Sequence, residues 1–315
     1  MRFGVPYQGS KNAVACDIIG VLPSAPRFVD LFAGGCALTH AAAVSGKYQT
    51  CLANDIHPFG IDLFWNGLCG SFSNETRWIS HMDFDILKSC DPFVAVCWSF
   101  GNNQKQYLYG EEIEKYKEAL HAAYFWGSYG YAMNEFGLDL SSIGCVPIEK
   151  RAKAMWRICE GYYNAGRLPK LGKRIQMCYL QHLGRLRDVQ SLEFAPLYVR
   201  ERMKMRCGDY ETVEIRPDDC IVCDIPYDGT CGYGEKDKPF DRDRFLKWAL
   251  ALKQPVFVFE YSMPEGFTPI WGRGRWDTFG KRGKQSTRAE RLWVQSRFAA
   301  EYKCDLFGFG KGGKV

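Results

Sequence analysis

The sequence predicts an α/β fold built on a mostly parallel sheet, and three stretches of chain carry that prediction. Residues 27–35 read as a strand that ends in a glycine turn, and the alanine-rich residues 37–44 read as the helix that follows. This order opens the nucleotide-binding type of α/β fold. A second strand is predicted at 49–53, and the apolar run 220–223 is typical of a strand buried on both faces.

The other predicted elements continue the alternation of helices and strands. A short helix is expected from Ser10, which should cap it, to about residue 19. Further helices are predicted at 111–126, 151–163, 175–192 and 241–253. A buried strand at 255–261 is followed by an antiparallel closing hairpin at 276–279 and 291–295, and the tail 308–315 is expected to fray.

Positive charge is concentrated in one part of the chain. The 315 residues carry a net charge of +5, from 41 basic and 36 acidic residues. Between residues 150 and 206 there are 14 Lys or Arg and only 4 acids, and a smaller basic run spans 273–291. Localised positive charge is the electrostatic footprint of a protein that binds a phosphate backbone, although a solvated helical face has the same composition.

Composition also limits the class of protein. Hydrophobic residues make up 46% of the chain, enough for a core, and aromatic residues make up 15%, which is compatible with stacking surfaces. The 14 cysteines show no metal-site spacing, and Cys220 and Cys223 should point to opposite faces of their strand, so no metal site is expected. We recognise no signal peptide and no apolar stretch of membrane length, and expect a cytoplasmic protein.

The buried strand at 220–223 ends in Asp224, Ile225, Pro226 and Tyr227. Ligands of open α/β sheets bind outside the carboxyl ends of the strands. Asp224 offers a carboxylate acceptor there, and Pro226 favours an extended Ile225 whose carbonyl is a second acceptor. With the Tyr227 ring for stacking, this arrangement suits a flat heterocycle that carries an amino group, such as a nucleobase. An ordinary strand-to-turn exit uses the same residue types.

A cofactor site is predicted at the ends of the first two strands. Asp30 ends the first strand, and Gly34 lets the backbone approach a ligand closely. Asp55 follows at the distance where an acid usually holds a ribose diol. The turn lacks the Gly-x-Gly-x-x-Gly pattern of dinucleotide sites. A ligand with a ribose but no pyrophosphate is therefore expected, and S-adenosyl-L-methionine meets both conditions.

Four short motifs occur along the chain in this order: Tyr-x-Gly-Ser-Lys at 7–11, Asp-Leu-Phe-Ala-Gly-Gly at 30–35, Asn-Asp at 54–55 and Asp-Ile-Pro-Tyr at 224–227. Together they resemble the Dam-type family of adenine-specific DNA methyltransferases. The resemblance covers the N-terminal quarter and the region from about residue 207 onward. It departs from the family at Ile225, where proline is usual. It implies a Rossmann-like methyltransferase sheet, at 1–61 and 197–315, with an inserted, mostly helical target-recognition region at 62–196.

The resemblance also implies roles for the N-terminal residues. Tyr7 and Lys11 would border the cofactor and the target adenine. A lysine in the first turn of a helix is unfavourably placed with respect to the helix dipole, which also suggests that Lys11 faces a ligand, although a free surface lysine fits as well. The glycine turn would cradle the methionine portion of the cofactor through Phe32, Ala33 and Gly34.

A later pair, Asp209 and Tyr210, resembles the acidic and aromatic residues that contact the cofactor's adenine in the family. Asp83 and Phe84 are a rival pair with the same letters. The later pair is preferred because its distance from Asp224 fits the family better.

The insertion is expected to contact DNA. Asn102 and Asn103 lie in a loop rich in amides, which suit adenine edges but are equally common in turns. Arg151, Lys153 and Arg157 lie in the basic region and are predicted to contact phosphates. Tyr233 lies in the glycine-rich loop 228–239, which is expected to cover the target base.

The predicted activity is N6-methylation of adenine in double-stranded DNA, with S-adenosyl-L-methionine as donor and the base flipped out of the helix. Cytosine N4, an RNA base or a glutamine amide presents the same amino group, and a catalytically silent DNA-binding module is the alternative of another class. The basic insertion argues against a protein substrate. A cognate restriction nuclease is a candidate partner, and a monomer or weak dimer is the expected state.

Overall fold

The computed structural model describes residues 2–168, 173–227, 240–274 and 289–302. The chain divides into two compact units by its contacts. One, the sheet unit, comprises Met1–Gly4, Ser10–Ile61 and Pro196–Val315, and the other, the helical unit, comprises Val5–Gly9 and Asp62–Ala195. No helix within the described residues is long and apolar enough to cross a membrane.

The sheet unit contains seven described strands in the order β3-β2-β1-β4-β5-β7-β6. They are β1 (Arg27–Asp30), β2 (Thr50–Asp55), β3 (Met203–Cys207), β4 (Asp219–Cys223), β5 (Val256–Glu260), β6 (Phe267–Gly274) and β7 (Ala289–Gln295). The first five strands run parallel, and β7 runs antiparallel to both β5 and β6. This is the mixed α/β architecture of a Rossmann-like sheet, as the sequence predicted.

Eleven α-helices lie within the described residues of the two units. They are α1 (Ala15–Val21), α2 (Ala37–Ser45), α3 (Pro58–Leu68), α4 (His81–Leu87), α5 (Pro92–Cys97), α6 (Glu111–His121), α7 (Gly130–Phe136), α8 (Ile148–Asn164), α9 (Lys173–Gln190), α10 (Leu197–Arg202) and α11 (Arg242–Ala251). The helix predicted at 111–126 changes to a π-helical turn after His121.

Side chains alternate along each strand, and residues of β4 pack against neighbours on both faces of the sheet. Cys223 packs with Phe245 of α11 in the core on one face. Cys220 faces the other side, where its Sγ lies 3.8 Å from the hydroxyl of Tyr48. The two cysteines therefore point to opposite faces, as the period of a strand requires.

The closing hairpin exists, but its first strand lies earlier than predicted. The strand expected at 276–279 falls outside the described residues, and the strand paired with β7 is β6, at Phe267–Gly274. A register shift between Pro269 and Trp271 interrupts the alternation of β6. Because of this interruption, and because β6 contains a proline and two glycines, the strand lacks the alternation of apolar and polar residues by which a strand is predicted from sequence.

The topology reverses direction at β1. Chain order runs from β1 outward to β2 on one side, and β4 returns to the other side of β1. Asp30 at the end of β1 lies level with Ala53 of β2 and Val222 of β4. The residues that follow on these neighbours, Asp55 and Asp224, therefore emerge at the same edge of the sheet. Open α/β sheets bind ligands at this switch point.

Candidate active site

The glycine turn is fastened to the end of β2 through the backbone. The amide of Ala33 donates to the carbonyl of Asn54 at 2.9 Å, and the amide of Gly34 donates to Oδ2 of Asp55 at 2.8 Å. Gly34 has φ 48°, a left-handed conformation that favours glycine. The turn is thus held in a form that brings backbone and carboxylate side by side.

Asp55 is a buried carboxylate fixed by two backbone donors. Its second oxygen accepts the amide of His57 at 2.9 Å, opposite the bond from Gly34. Burial raises the pKa of Asp55, and the bonds from His57 and Gly34 oppose that rise. A carboxylate has about four acceptor positions, so both oxygens retain capacity for a ligand hydroxyl.

The N-terminal segment packs tightly against the same turn. Gly4 has φ +68°, and its amide donates to Nδ1 of His40 at 3.0 Å. A Cβ at this position would lie 2.2 Å from the carbonyl oxygen of Gly35. No side chain larger than hydrogen fits there without moving the turn. Gly4 therefore determines how closely the N-terminal segment approaches the site.

Asn54 connects three strand ends and was not assigned a role from the sequence. Its side-chain amide donates to the carbonyls of Leu31 and Gly208, at 3.1 and 3.0 Å. Its carbonyl oxygen accepts from Arg206 at 2.6 Å. Because the residue is fully buried and bonded at both ends, it holds the loops after β1, β2 and β3 in fixed positions.

The predicted aromatic residues of the cofactor site lie together. The ring centroids of Phe32 and Tyr210 are 5.3 Å apart, and both rings pack on Phe245 of α11. The neighbouring acid, Asp209, caps a 3₁₀ turn through the amide of Glu211 and pairs with Arg244 at 3.0 Å. The rival Asp83 forms a capping box with Ser80 at the start of α4, which gives it a helix-capping role.

The end of β4 carries a compact cluster of charged groups. The ammonium of Lys11 lies 2.5 Å from Oδ2 of Asp224 and 3.4 Å from Oε1 of Glu290. Glu290 also accepts the hydroxyl of Tyr227. The side chains of Lys11 and Glu290 are each 6% exposed, whereas that of Asp224 is 20% exposed. Asp224 is thus the member of the cluster most open to a ligand.

Two opposing effects act on Asp224. Burial raises the pKa of its carboxyl group, and the charge and hydrogen bond of Lys11 lower it. The negative charge of Glu290 raises it further, whereas the Tyr227 hydroxyl lowers it. Ile225, the next residue, is buried in the core with Phe245 and fixes the path of the chain beyond β4.

The first strand contributes a third carboxylate. Asp30 is 1% exposed and accepts the hydroxyl of Thr39 at 2.7 Å through Oδ2, whereas no partner is found for Oδ1 among the described residues. Burial raises the pKa of Asp30 to about 7, and the charges of Asp224 and Asp55 contribute to the rise. Asp30 therefore experiences the negative charge of both other acids at the carboxyl edge of the sheet.

The amides predicted to read DNA are engaged within their own loop. Asn102 is 7% exposed and donates to the carbonyl of Val96 at 2.9 Å. The side-chain oxygen of Asn103 accepts the amides of Lys105 and Gln106. These bonds favour the turn role that the sequence left equally open.

The predicted phosphate contacts differ from one another. The guanidinium of Arg151 donates to the carbonyls of Val146 and Tyr124, so it stabilises the end of the preceding turn. Lys153 and Arg157 are exposed, and their spacing places them on one face of α8. Tyr7 is half-buried in the helical unit, and Tyr233 lies outside the described residues.

Sheet and site together define a class of protein: a Rossmann-like methyltransferase fold with acids at the ends of three neighbouring strands. Residues 7–120 match the family model of the D12 class N6 adenine-specific DNA methyltransferase. The match confirms the predicted resemblance over these residues and indicates DNA (adenine-N6)-methyltransferase activity. It ends before Asp224. No curated protein matches the chain.

The raised pKa of Asp30 predicts a pH dependence of stability. An ordinary aspartate titrates near pH 4 when unfolded, so between about pH 4 and 7 the unfolded chain releases this proton and the native chain retains it. The free energy of unfolding should fall with rising pH in this window, by on the order of 1 kcal/mol per pH unit from this group. Asp30→Asn, which keeps an acceptor for Thr39, should remove that contribution. Urea unfolding at several pH values checks it, and parallel curves for both proteins would contradict it.

Proposed function

We propose that this chain transfers a methyl group from S-adenosyl-L-methionine to N6 of an adenine that has been flipped out of double-stranded DNA. The observation that carries the proposal is the position of Asp224. Its partly open carboxylate lies at the end of β4, beside the switch point, with Lys11 on one oxygen. A carboxylate so placed can accept a hydrogen from an amino group that enters the edge of the sheet.

The residues at this edge fit the proposed cofactor. S-adenosyl-L-methionine carries a ribose diol and positive charge on its sulfonium and ammonium groups, and it supplies an activated methyl group when bound. Asp55 retains acceptor capacity for the diol, and Gly34 permits close approach. The coupled carboxylates of Asp30, Asp55 and Asp224 favour a positively charged ligand. Tyr210 and Phe32 offer ring surface next to these acids.

The chain's own groups account for activation of the amino nitrogen. The lone pair of N6 is delocalised into the adenine ring, which makes it a poor nucleophile. If Asp224 and the carbonyl of Ile225 accept the two amino hydrogens, the pyramidal form becomes favoured and its lone pair is available for bond formation. The raised pKa of Asp224 makes it a better acceptor for the proton that N6 releases afterwards.

The Tyr227 ring supports the flipped base. Unstacking a base costs a few kcal/mol, and stacking on an aromatic ring recovers ~1–3 kcal/mol. Tyr227 packs edge-on against Tyr261, with ring centroids 4.8 Å apart, so its plane is set before a base arrives. Pre-set geometry matters because transfer depends on near-attack alignment.

The helical unit supplies an exposed surface suited to DNA. Lys153 and Arg157 are exposed on α8, and Phe100 is 56% exposed in a loop. Backbone constraint in that loop is unusual, because Asn102 and Gln104 both have φ 60° and are held there by side-chain bonds. A rigid loop that presents an aromatic ring suits contact with an unstacked base step.

Two substitutions should separate the two halves of the site. Asp224→Ala should abolish turnover and leave the dissociation constant of the cofactor nearly unchanged, because Asp224 acts on the target amino group. Asp55→Ala should weaken cofactor binding first, by removing the acceptor of the ribose. Calorimetry with S-adenosyl-L-methionine and a radiolabel transfer assay on duplex DNA measure both effects. Turnover of Asp224→Ala within tenfold of wild type, or an unchanged dissociation constant for Asp55→Ala, would contradict the respective assignment.

Lys153 and Arg157 should each contribute one phosphate contact. Replacing either with Gln should reduce the slope of log affinity against log salt by about one. Lys115→Gln is the matched control, because Lys115 is exposed on α6, whose first turn carries three acids. Arg151→Gln should instead lower stability, since its guanidinium bonds to carbonyls. Salt slopes of the α8 variants equal to that of the control would mean that this face is merely solvated.

A further inference from the structure

Glu290 lies at the proposed reaction edge, although no role was predicted for it from the sequence. It is the second residue of β7, and because β7 runs antiparallel to β5, its start lies at the same edge as the end of β5. Glu290 is buried and contacts both Lys11 and the hydroxyl of Tyr227. It therefore joins two groups that the proposed chemistry uses.

Packing alone does not account for an acid at this position. Side chains at alternate positions of a strand share a face, and Leu292 and Val294, which follow Glu290 at this spacing, are fully buried. An apolar residue at 290 would continue this face without the cost of burying a charge. The polar contacts of Glu290 are thus the distinguishing feature of the position.

We propose that Glu290 is a positioning residue for methyl transfer, which holds the Tyr227 ring at the stacking plane and holds Lys11 between two carboxylates. The inference rests on the proposed function. The hydroxyl bond restrains rotation of the ring, which Tyr261 supports from its edge. The second carboxylate shares the ammonium, so Lys11 satisfies Asp224 only in part and leaves it acceptor capacity for the target amino group.

Three variants divide these contributions. Glu290→Gln keeps an acceptor for the Tyr227 hydroxyl but removes the charge that holds Lys11, whereas Glu290→Ala removes both. Tyr227→Phe keeps the ring and removes the hydroxyl. Because Glu290→Ala loses both the restraint on the Tyr227 ring and the second carboxylate beside Lys11, it should lower kcat by about tenfold to a hundredfold. Glu290→Gln should show a smaller loss, and the KM and the dissociation constant of the cofactor should stay within about twofold.

The matched control is Glu265→Gln, an exposed acid in the turn between β5 and β6 of the same unit. It should leave kcat unchanged. In the double variant that combines Tyr227→Phe with Glu290→Ala, the decrease in log kcat should be smaller than the sum of the decreases in the two single variants, because both substitutions disrupt the same hydrogen bond. A purely structural role would lower activity together with the thermal midpoint and would give additive losses.

A second measurement does not depend on turnover. A duplex that wild type methylates is made with 2-aminopurine at the target position, and its fluorescence is read with each variant bound. The flipped probe should be brighter with Glu290→Ala than with wild type, because it no longer stacks on a fixed ring, and Glu265→Gln should match wild type. If wild type methylates DNA and Glu290→Ala shows the same kcat and the same probe fluorescence, this inference alone is overturned. If wild type transfers no methyl group to DNA, the proposed function is overturned as well.

Discussion

The ion pair between Lys11 and Asp224 is the interaction on which the site depends. A carboxylate at the end of a buried strand loses hydration, and burial accordingly raises the pKa of Asp224. Lys11 opposes that rise from 2.5 Å away. Because Lys11 comes from the N-terminal segment, the pair fixes this segment over the carboxyl edge of the sheet. The same contact thus favours the ionised form of Asp224 at this edge.

The other acids at this edge of the sheet are also buried, and each has polar partners from the protein in place of water. Asp55 accepts two backbone amides, Asp30 accepts a hydroxyl on one of its oxygens, and Asp224 pairs with an ammonium. Burial of Asp30, together with the negative charges of Asp224 and Asp55, raises its pKa to about 7. A positively charged ligand would relieve this repulsion, which connects the electrostatics of this edge with the charge of the proposed cofactor.

Local patterns predicted the part of the fold that depends on local sequence. The apolar run of β4, the glycine turn after β1 and the acid at the end of β2 each leave a signature in a few consecutive residues, and all three occur in the structure. Glu290 left no such signature, because its contacts with Lys11 and Tyr227 are set by how β7 pairs in the sheet. Arg151 and Asn102 were predicted to contact DNA, and their bonds to backbone carbonyls were not foreseen, since a sequence does not show which carbonyls a side chain will reach.

Analysis of the methylated nucleosides tests the central claim most directly. The protein is incubated with unmethylated duplex DNA, or with RNA in parallel, and with cofactor labelled in its methyl group. The nucleic acid is then digested, and the nucleosides are separated and identified by mass. The proposed function, which the match to an adenine-specific family supports, predicts label in N6-methyladenine from duplex DNA, with little or none in N4-methylcytosine. Label chiefly in methylcytosine, or only in RNA, would contradict the account.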